Sequence, residues 1–397
     1  MKNATGVIAA CCLLLAWGTA ARTAQVQAQT PVQDGAAAVP ARFTASDIGE
    51  SLFYAMPDQA SLASVRAHAD QIGVVAPQSF ALERNGELRG SLPQALAAVA
   101  RDSSIELMPL VVNAGFSRYN AMRLLRSASA RDRAIGALVD QARDLALVGW
   151  QIDFENMPSF ERAAFSRFVA EAAAALHRHG KLLSVAVAAR TSDNPHSQTY
   201  RTFSGVYDYA ALGRSADFLS VMAYPENDGT HPGPLASSPW VQRVIQHVLL
   251  QVPPEKLSLG LPTYQTDWMQ RRIRISVRRR IAGKIRRVFR YIYRLFHRNG
   301  PAIDTPEQPV QWDPVLQSAY RITGTGHRRQ VTWVEDERSF AAKLHLVTQY
   351  HLRGFSVWRI GLEDPHIWSA LPQAERAEAL PTEPGAPPQL QVGGIGR

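Results

Sequence analysis

Short apolar runs alternate with amphipathic segments along most of the chain, and this alternation restricts the folds that it can adopt. The runs predict β-strands at Leu52–Met56, Ile72–Ala76, Ile105–Val112, Gly149–Glu155, Leu182–Ala188, Phe218–Ala223, Leu257–Pro262 and Phe355–Ile360. The segments between most of them predict helices at Ser61–Ala69, Leu92–Ala100, Ala130–Leu147, Ser159–His179, Ser237–Leu250 and Ser339–His351. Eight strands separated mostly by helices are typical of an α/β chain folded as a parallel (β/α)8 barrel, with a doubly wound sheet as the alternative.

The fourth strand, Gly149–Glu155, carries two carboxylates at its end. Side chains alternate along a strand, so Gln151, Asp153 and Glu155 share one face while Ile152 and Phe154 share the other. Carboxylates two residues apart are separated by roughly 6.6 Å, close enough for one to raise the proton affinity of the other. Such a pair can keep an acid protonated near neutral pH for hydrolysis, although an acidic pair alone is more often a solvated loop edge.

Other polar side chains end other strands of the predicted barrel. Asn113, Tyr224, Tyr264 and Trp358 fall at carboxyl ends, which gather at the mouth where barrel active sites lie. A phenol there can donate a hydrogen bond, and an indole offers a flat face to a sugar ring, although both are more often packing residues. The chain has no Gly-rich phosphate loop, no His-Glu-x-x-His motif and no Gly-x-Ser-x-Gly elbow, so we predict neither a cofactor nor a metal.

These stretches, in this order, resemble glycoside hydrolase family 18 as found in bacterial spore-cortex hydrolases and in domains fused to polysaccharide deacetylases. Gln151-Ile-Asp153-Phe-Glu155 resembles the family's Asp-x-Asp-x-Glu strand, and Val221-Met-Ala-Tyr224 resembles its Met-x-Tyr strand. Further similarity covers Gly233-Pro-Leu-Ala-Ser237, the run from Val252 to Tyr264, and the last strand from Gly354 to Asp364 with its Trp358. The resemblance spans about residues 51–371.

The resemblance implies a fold, a reaction and a role for each matching residue. In this family the nucleophile is the substrate's own N-acetyl carbonyl. Glu155 would protonate the leaving oxygen and then activate water, Asp153 would orient and polarise the acetamido group, and Tyr224 would donate to its oxygen. Trp358 would form the floor of the subsite. Substrate contacts are also expected from Gln151, Met222, Asn113 and Tyr264.

Two positions depart from the family's common pattern. Gln151 stands where an Asp is commonest, which removes one charge from the buried strand. Pro225 stands where an Asp often follows the tyrosine, and its side chain neither donates nor accepts a hydrogen bond. We expect either change to slow catalysis or to alter which sugar fits.

The two ends of the chain lack the pattern of a folded domain. An apolar run from Val7 to Trp17 follows Lys2 and precedes small residues, as in a secretory signal peptide, so we expect a secreted or periplasmic protein. Both cysteines, Cys11 and Cys12, would be removed with it. The predicted order is a signal peptide at 1–28, a linker at 29–45, the barrel domain at 46–374 and a disordered tail at 375–397.

One segment, Arg271–Arg298, fits no part of a barrel. It holds twelve Lys or Arg and no Asp or Glu, so the formal charge of +9 becomes 9 − 12 = −3 for the rest of the chain. Apolar residues recur at spacings of three and four, which predicts an amphipathic helical insertion with a basic face. Three interpretations compete: a solvated barrel helix, attachment to a membrane surface, and docking on an anionic wall polymer.

The leading hypothesis is a secreted, retaining glycosidase that cleaves a polymer of N-acetylated amino sugars. Peptidoglycan, chitin and an exported N-acetylglucosamine polysaccharide all carry the acetamido group, and the sequence does not choose among them. A non-catalytic, lectin-like barrel of the same family is the alternative, and a membrane-surface scaffold that uses the basic segment is a third possibility. Nucleic acid is not an expected partner of a secreted protein.

Overall fold

The computed structural model describes residues 50–227, 232–281, 284–301, 309–325 and 330–371. The predicted signal peptide at 1–28, linker at 29–45 and tail at 375–397 lie outside these residues.

Eight parallel strands close into a barrel, as predicted. They are β1 (Glu50–Ala55), β2 (Val74–Leu82), β5 (Leu110–Asn113), β6 (Gly149–Asp153), β7 (Leu182–Ala188), β8 (Phe218–Met222), β9 (Leu257–Pro262) and β15 (Gly354–Trp358). Neighbours pair in the order β1, β15, β9, β8, β7, β6, β5, β2, and β1 pairs with β2 to close the ring. Two short strands, β3 (Leu88–Gly90) and β4 (Glu106–Leu107), pair with β2 beside it.

Helices cover the outside of the barrel. The α-helices in the described part of the chain are α1 (Gln59–Ala67), α2 (Gln94–Asp102), α3 (Arg118–Arg126), α4 (Ala128–Asp144), α5 (Arg162–His177), α6 (Gln198–Thr202), α7 (Tyr209–Ser215), α8 (Ser238–Leu249) and α9 (Glu337–Gln349). None of these helices has the length and apolar character that crossing a membrane requires. The six predicted helices are confirmed, with ends shifted by a few residues.

Strand alternation divides the buried apolar residues into two layers. On β1, Phe53 packs with the helices in the larger cluster, whereas Leu52 and Tyr54 belong to a smaller cluster with Val74 and Leu110. This smaller cluster fills the barrel interior because its members come from the opposite face of the strands. The barrel is thus packed along its axis and open for chemistry only at its ends.

A second sheet follows β9 and replaces the predicted basic helix. Its strands are β10 (Tyr264–Ile281), β11 (Lys284–Pro301), β12 (Gln311–Asp313), β13 (Ser318–Thr323) and β14 (Gln330–Val334), paired antiparallel in the order β11, β10, β14, β13, β12. The helix prediction for residues 271–298 is wrong, because this segment forms a long β-hairpin. The sequence Ile273-Arg-Ile275-Ser-Val277 alternates strictly, and β-branched and aromatic residues favour strands.

Candidate active site

Strand β6 fixes which side chains face the interior of the barrel. Trp150 and Phe154 are fully buried on the outer side, where the Trp150 Nε1–H donates to the Leu138 carbonyl at 2.9 Å. The Phe154 ring stacks on Phe168 of α5, with ring centroids 5.7 Å apart. Because alternate residues face opposite sides, these outer contacts turn Asp153 into the barrel. The predicted alternation of this strand is confirmed.

A cavity of about 590 Å³ opens at the carboxyl ends of the strands. It is lined by both carboxylates and by four other residues from the predicted site, namely Met222, Tyr224, Tyr264 and Trp358. Among the described residues, none of the side chains that line it is a Lys, an Arg or a His. No three His, Cys, Asp or Glu side chains of the described segments come together as metal ligands.

The two carboxylates share a desolvated environment. Asp153 is buried, and its Oδ1 has no hydrogen-bond partner. Burial and, to a smaller extent, the neighbouring charge of Glu155 raise the pKa of Asp153, and burial also raises the pKa of Glu155. When two neighbouring carboxyl groups both have raised pKa values, the pair keeps one proton near neutral pH. The site therefore contains an acid able to donate a proton.

Aromatic side chains form the walls of the cavity. The rings of Tyr224 and Tyr264 meet edge to face with centroids 6.4 Å apart, and those of Tyr54 and Trp358 lie 5.6 Å apart. Burial raises the pKa of the Tyr224 phenol well above its usual value, so this hydroxyl stays protonated and able to donate. These walls offer apolar faces together with a hydrogen-bond donor, which suits a sugar ring.

Hydrogen bonds from Thr263, the residue that follows β9, hold the backbone at Trp358 in place. The Thr263 N–H donates to the Trp358 carbonyl at 2.9 Å, and the Thr263 hydroxyl donates to the Arg359 carbonyl at 2.7 Å. The Arg359 guanidinium in turn donates to Asp58 Oδ2 at 2.9 Å. These bonds tie the last strand to β9 and to the start of α1, so the position of the indole is set from both sides.

A chain of buried hydroxyls begins at Tyr54, which lines the cavity. The Tyr54 hydroxyl lies 2.8 Å from Ser220 Oγ, which donates to Ser356 Oγ at 2.7 Å. Ser258 Oγ lies 2.6 Å from the same Ser356 oxygen. These residues come from four different barrel strands and satisfy one another's hydrogen bonds, so this part of the barrel interior is both polar and fixed.

Asn113 and Gln151 do not fit the prediction of direct substrate contact. Both are fully buried and neither lines the cavity. Asn113 instead holds the backbone of Glu155: its Oδ1 accepts from the Glu155 N–H at 2.9 Å, and its Nδ2 donates to the Glu155 carbonyl at 3.2 Å. Gln151 lies two residues deeper on β6 than Asp153, and neither polar atom of its amide has a hydrogen-bond partner.

Sequence reasoning missed several residues that line the cavity. They are Tyr54, Gln78, Leu110, Phe116, Ala186, Ala188, Ala189, Thr199, Phe203, Ser204 and Trp240. Tyr54 had a usable signal, because it lies near the carboxyl end of β1. Trp240 and Thr199 come from helices α8 and α6, and nothing in a helical segment indicates that its first turn will reach a barrel mouth.

Comparison with known proteins gives a consistent result. Residues 71–363 match the family model described as glycosyl hydrolases family 18. The chain is 27% identical over 331 residues to the uncharacterized glycosylase YvbX of Bacillus subtilis. This match covers 81% of this chain and 90% of YvbX. It is 28% identical over 299 residues to the cortical fragment-lytic enzyme of the same species, and this match covers 74% of this chain and 65% of that enzyme.

Solved structures include similar barrels. A chitinase from Chromobacterium violaceum superposes with a TM-score of 0.68 at 27% identity, which covers 81% of this chain and 97% of the chitinase.

Proposed function

The chain belongs to glycosyl hydrolase family 18, and on that premise we propose that it cleaves a polymer of N-acetylated amino sugars with retention of configuration. The nucleophile in this proposal is the carbonyl oxygen of the substrate's own acetamido group, which replaces the nucleophilic carboxylate of other retaining glycosidases. The observation that carries the proposal is the pair Asp153 and Glu155 in one aromatic cavity whose described lining contains no basic side chain.

Glu155 is the proposed acid and base. It lines the cavity, and burial raises its pKa, which keeps a proton available for the glycosidic oxygen of the leaving sugar. Once this proton has been transferred, the carboxylate can take a proton from the water that opens the cyclic intermediate. The Asn113 amide fixes the backbone at Glu155, so the carboxyl group acts from a defined position.

Asp153, Tyr224 and Trp358 are proposed to act on the sugar that reacts. The Asp153 carboxylate, which lines the cavity, would accept a hydrogen bond from the acetamido N–H and stabilise the positive charge that develops in the ring. The Tyr224 hydroxyl would donate to the acetamido oxygen and aim it at the anomeric carbon. The Trp358 indole would support the ring from below, since it lines the same cavity.

The polymer is proposed to contain N-acetylglucosamine. One similar protein is named a cortical fragment-lytic enzyme and another a chitinase, which supports peptidoglycan and chitin as candidates. An exported polysaccharide of the same sugar has the same acetamido group. All three need the same residues in the cavity, so a panel of N-acetylated oligosaccharides is the way to choose among them.

The mature chain is proposed to act outside the cytoplasm, in the periplasm or beyond it. Support comes from the sequence of residues 1–28, with its basic start, apolar run and small residues before a cleavage point. In the cell envelope, the basic segment 271–298 would meet anionic lipids and anionic wall polymers.

The first test compares the full-length protein with its Glu155→Gln variant. We expect the variant to lose product release from N-acetylated oligosaccharides by about 1,000-fold or more while it still binds them, because the amide keeps the shape but cannot donate the proton. Glu87→Gln is the matched control, since Glu87 is exposed and lies outside the cavity. Equal inertness of both proteins with equal sugar binding would support the lectin-like alternative, and unaffected turnover would remove Glu155 from its role.

The second test addresses the nucleophile. If the acetamido group attacks, an oligosaccharide whose amino groups carry no acetyl group should bind but not be cleaved. The first product from the acetylated substrate should also keep the configuration of the cleaved bond when followed by NMR. Cleavage of the deacetylated substrate at a similar rate would contradict substrate assistance without excluding glycosidase activity.

A further inference from the structure

The β10–β11 hairpin extends far beyond the sheet that contains it. The two strands pair along their whole length, from Tyr264 opposite Pro301 to Ile281 opposite Lys284. β10 also pairs with β14, but only from Thr266 to Met269. Beyond Met269, neither strand has another partner among the described strands, and the remaining twelve residues span roughly 40 Å at the rise of an antiparallel strand. We call residues 274–280 and 284–289 the distal arm.

The distal arm carries a dense and unpaired positive charge. Seven of its thirteen residues are cationic and none is acidic: Arg274, Arg278, Arg279, Arg280, Lys284, Arg286 and Arg287. All seven are exposed. None of the seven forms an ion pair with an Asp or Glu among the described residues. At the base of the hairpin, by contrast, Arg298 pairs with Asp267 at 3.2 Å. The charge therefore serves no ion pair within the described part of the protein and remains free for an external anion.

Apolar side chains stand exposed among these cations. Ile285 is 70% exposed and Phe289 is 51% exposed. The register places Arg280 opposite Ile285 and Ser276 opposite Phe289, so both apolar residues lie on one face of the hairpin. The Arg274 guanidinium lies 4.0 Å from the centre of the Phe289 ring on that face. The arm therefore presents apolar and cationic side chains together on one exposed face, the combination that binds membrane surfaces.

From these features we propose that the distal arm binds the surface of an anionic lipid bilayer. Its arginines would contact lipid phosphates, and Ile285 and Phe289 would enter the boundary between headgroups and acyl chains. An anionic polymer dissolved in water offers the same charge but no apolar phase, so the exposed apolar pair favours the bilayer. The binding would hold the barrel at the membrane, with its cavity outside the contact, because no residue of the arm lines the cavity.

The test is co-sedimentation of the full-length protein with vesicles of phosphatidylcholine alone or mixed with phosphatidylglycerol. Wild-type protein should bind the anionic vesicles, and R278Q/R279Q/R280Q should bind them about 100-fold more weakly, since each cation near an anionic surface contributes about fivefold. The control R66Q/R101Q/R143Q removes three exposed arginines from helices elsewhere and should bind like wild type. I285S/F289S keeps every charge and should also bind more weakly.

Two results would overturn the proposal. One is equal binding of wild type and R278Q/R279Q/R280Q to anionic vesicles, including no binding by either. The other is loss of vesicle binding in R278Q/R279Q/R280Q, full vesicle binding in I285S/F289S, and an affinity of the wild-type protein for soluble polyglutamate equal to its affinity for anionic vesicles. This combination would assign the arm to anionic polymers. Circular dichroism and hydrolysis of a soluble oligosaccharide check that each variant is folded. Because the vesicle assay needs no turnover, its outcome is separate from that of the proposed glycosidase activity.

Discussion

Replacement of Asn113 by Ala tests how much of catalysis depends on the position of the Glu155 backbone. The Asn113 side chain is fully buried and makes three hydrogen bonds, two with the Glu155 backbone and one, at 3.2 Å, with the Ser117 carbonyl. The alanine variant loses all three and leaves the Glu155 N–H without this acceptor. The acid itself stays in the chain, so any loss of rate reports its placement.

The expected magnitude follows from the two bonds that hold Glu155. At about 1 kcal/mol net for each hydrogen bond, about 2 kcal/mol is available to hold the acid in its reactive position, and a barrier raised by that amount corresponds to roughly a 30-fold fall in kcat. A displacement of the acid approaching 1 Å would increase the loss to about 100-fold. KM should change less than about threefold, because Asn113 does not line the cavity. The variant should also unfold with about 2–4 kcal/mol less free energy, since a buried donor and two carbonyls lose their partner.

Steady-state hydrolysis of an N-acetylated oligosaccharide and urea unfolding measure both effects. Asn120→Ala is the matched control, because the Asn120 amide of α3 donates to the Ala114 carbonyl at 3.0 Å, next to Asn113 in the chain, and its described hydrogen bonds do not include Glu155. It should keep the wild-type kcat. Asn113→Asp keeps the acceptor for the Glu155 N–H but loses the donor, and should lie between the other two. A kcat for N113A within twofold of wild type, or a loss that N120A shares, would refute the positioning role.

Three further predictions concern the carboxylate pair, a buried ion pair and the cavity wall. The folded protein binds the proton of the Asp153–Glu155 pair more tightly than the unfolded chain does, so the pair's contribution to stability falls as pH rises from about 4 to about 8. Thermal unfolding should show D153N gaining stability relative to wild type over that range, and a constant difference would contradict the raised pKa values. Lys343→Met should lower the free energy of unfolding in urea by about 3–5 kcal/mol, because Glu335 stays buried without the ammonium group that lies 2.5 Å from it. K343M/E335L should recover most of that loss. Equal stability of the two variants would show that the unpaired charge is not the cause. Trp358→Ala in the E155Q background should weaken oligosaccharide binding by roughly 10- to 100-fold in calorimetry, because the sugar loses the apolar surface that one aromatic face buries. Unchanged affinity would show that the indole is not part of the subsite.

The barrel could be predicted because each of its strands is buried on both faces. Such strands appear as apolar runs, and Leu182–Ala188 and Leu257–Pro262 match their predicted bounds. The distal arm of the hairpin is instead largely exposed to solvent and rich in arginine. In the segment 271–298 the apolar residues fit a helical spacing and a strand alternation equally well, and β-branched and aromatic content was the signal that favoured strands.

The site could be predicted only as far as strand direction determines it. Alternation placed Asp153 and Glu155 on the inner face, and the ends of β8 and β15 placed Tyr224 and Trp358 near them. The same rule cannot say whether a polar side chain at a strand end turns towards the cavity or towards a neighbouring backbone. Asn113 does the latter, because the Glu155 peptide lies within reach of both ends of its amide.

The neutral side chain of Gln151 affects the electrostatic environment of the two carboxylates. It is fully buried below Asp153 and carries no charge, so the raised pKa of Asp153 comes from burial and from Glu155 alone. In the proposed reaction, both carboxylates become anionic when Glu155 gives up its proton, and none of the described side chains that line the cavity is basic. Within this described lining, the positive charge to balance them would come from the one that develops on the sugar and its acetamido group. Under this mechanism the site would be better matched to the cationic transition state than to the neutral substrate, which is the condition for catalysis by electrostatic stabilisation.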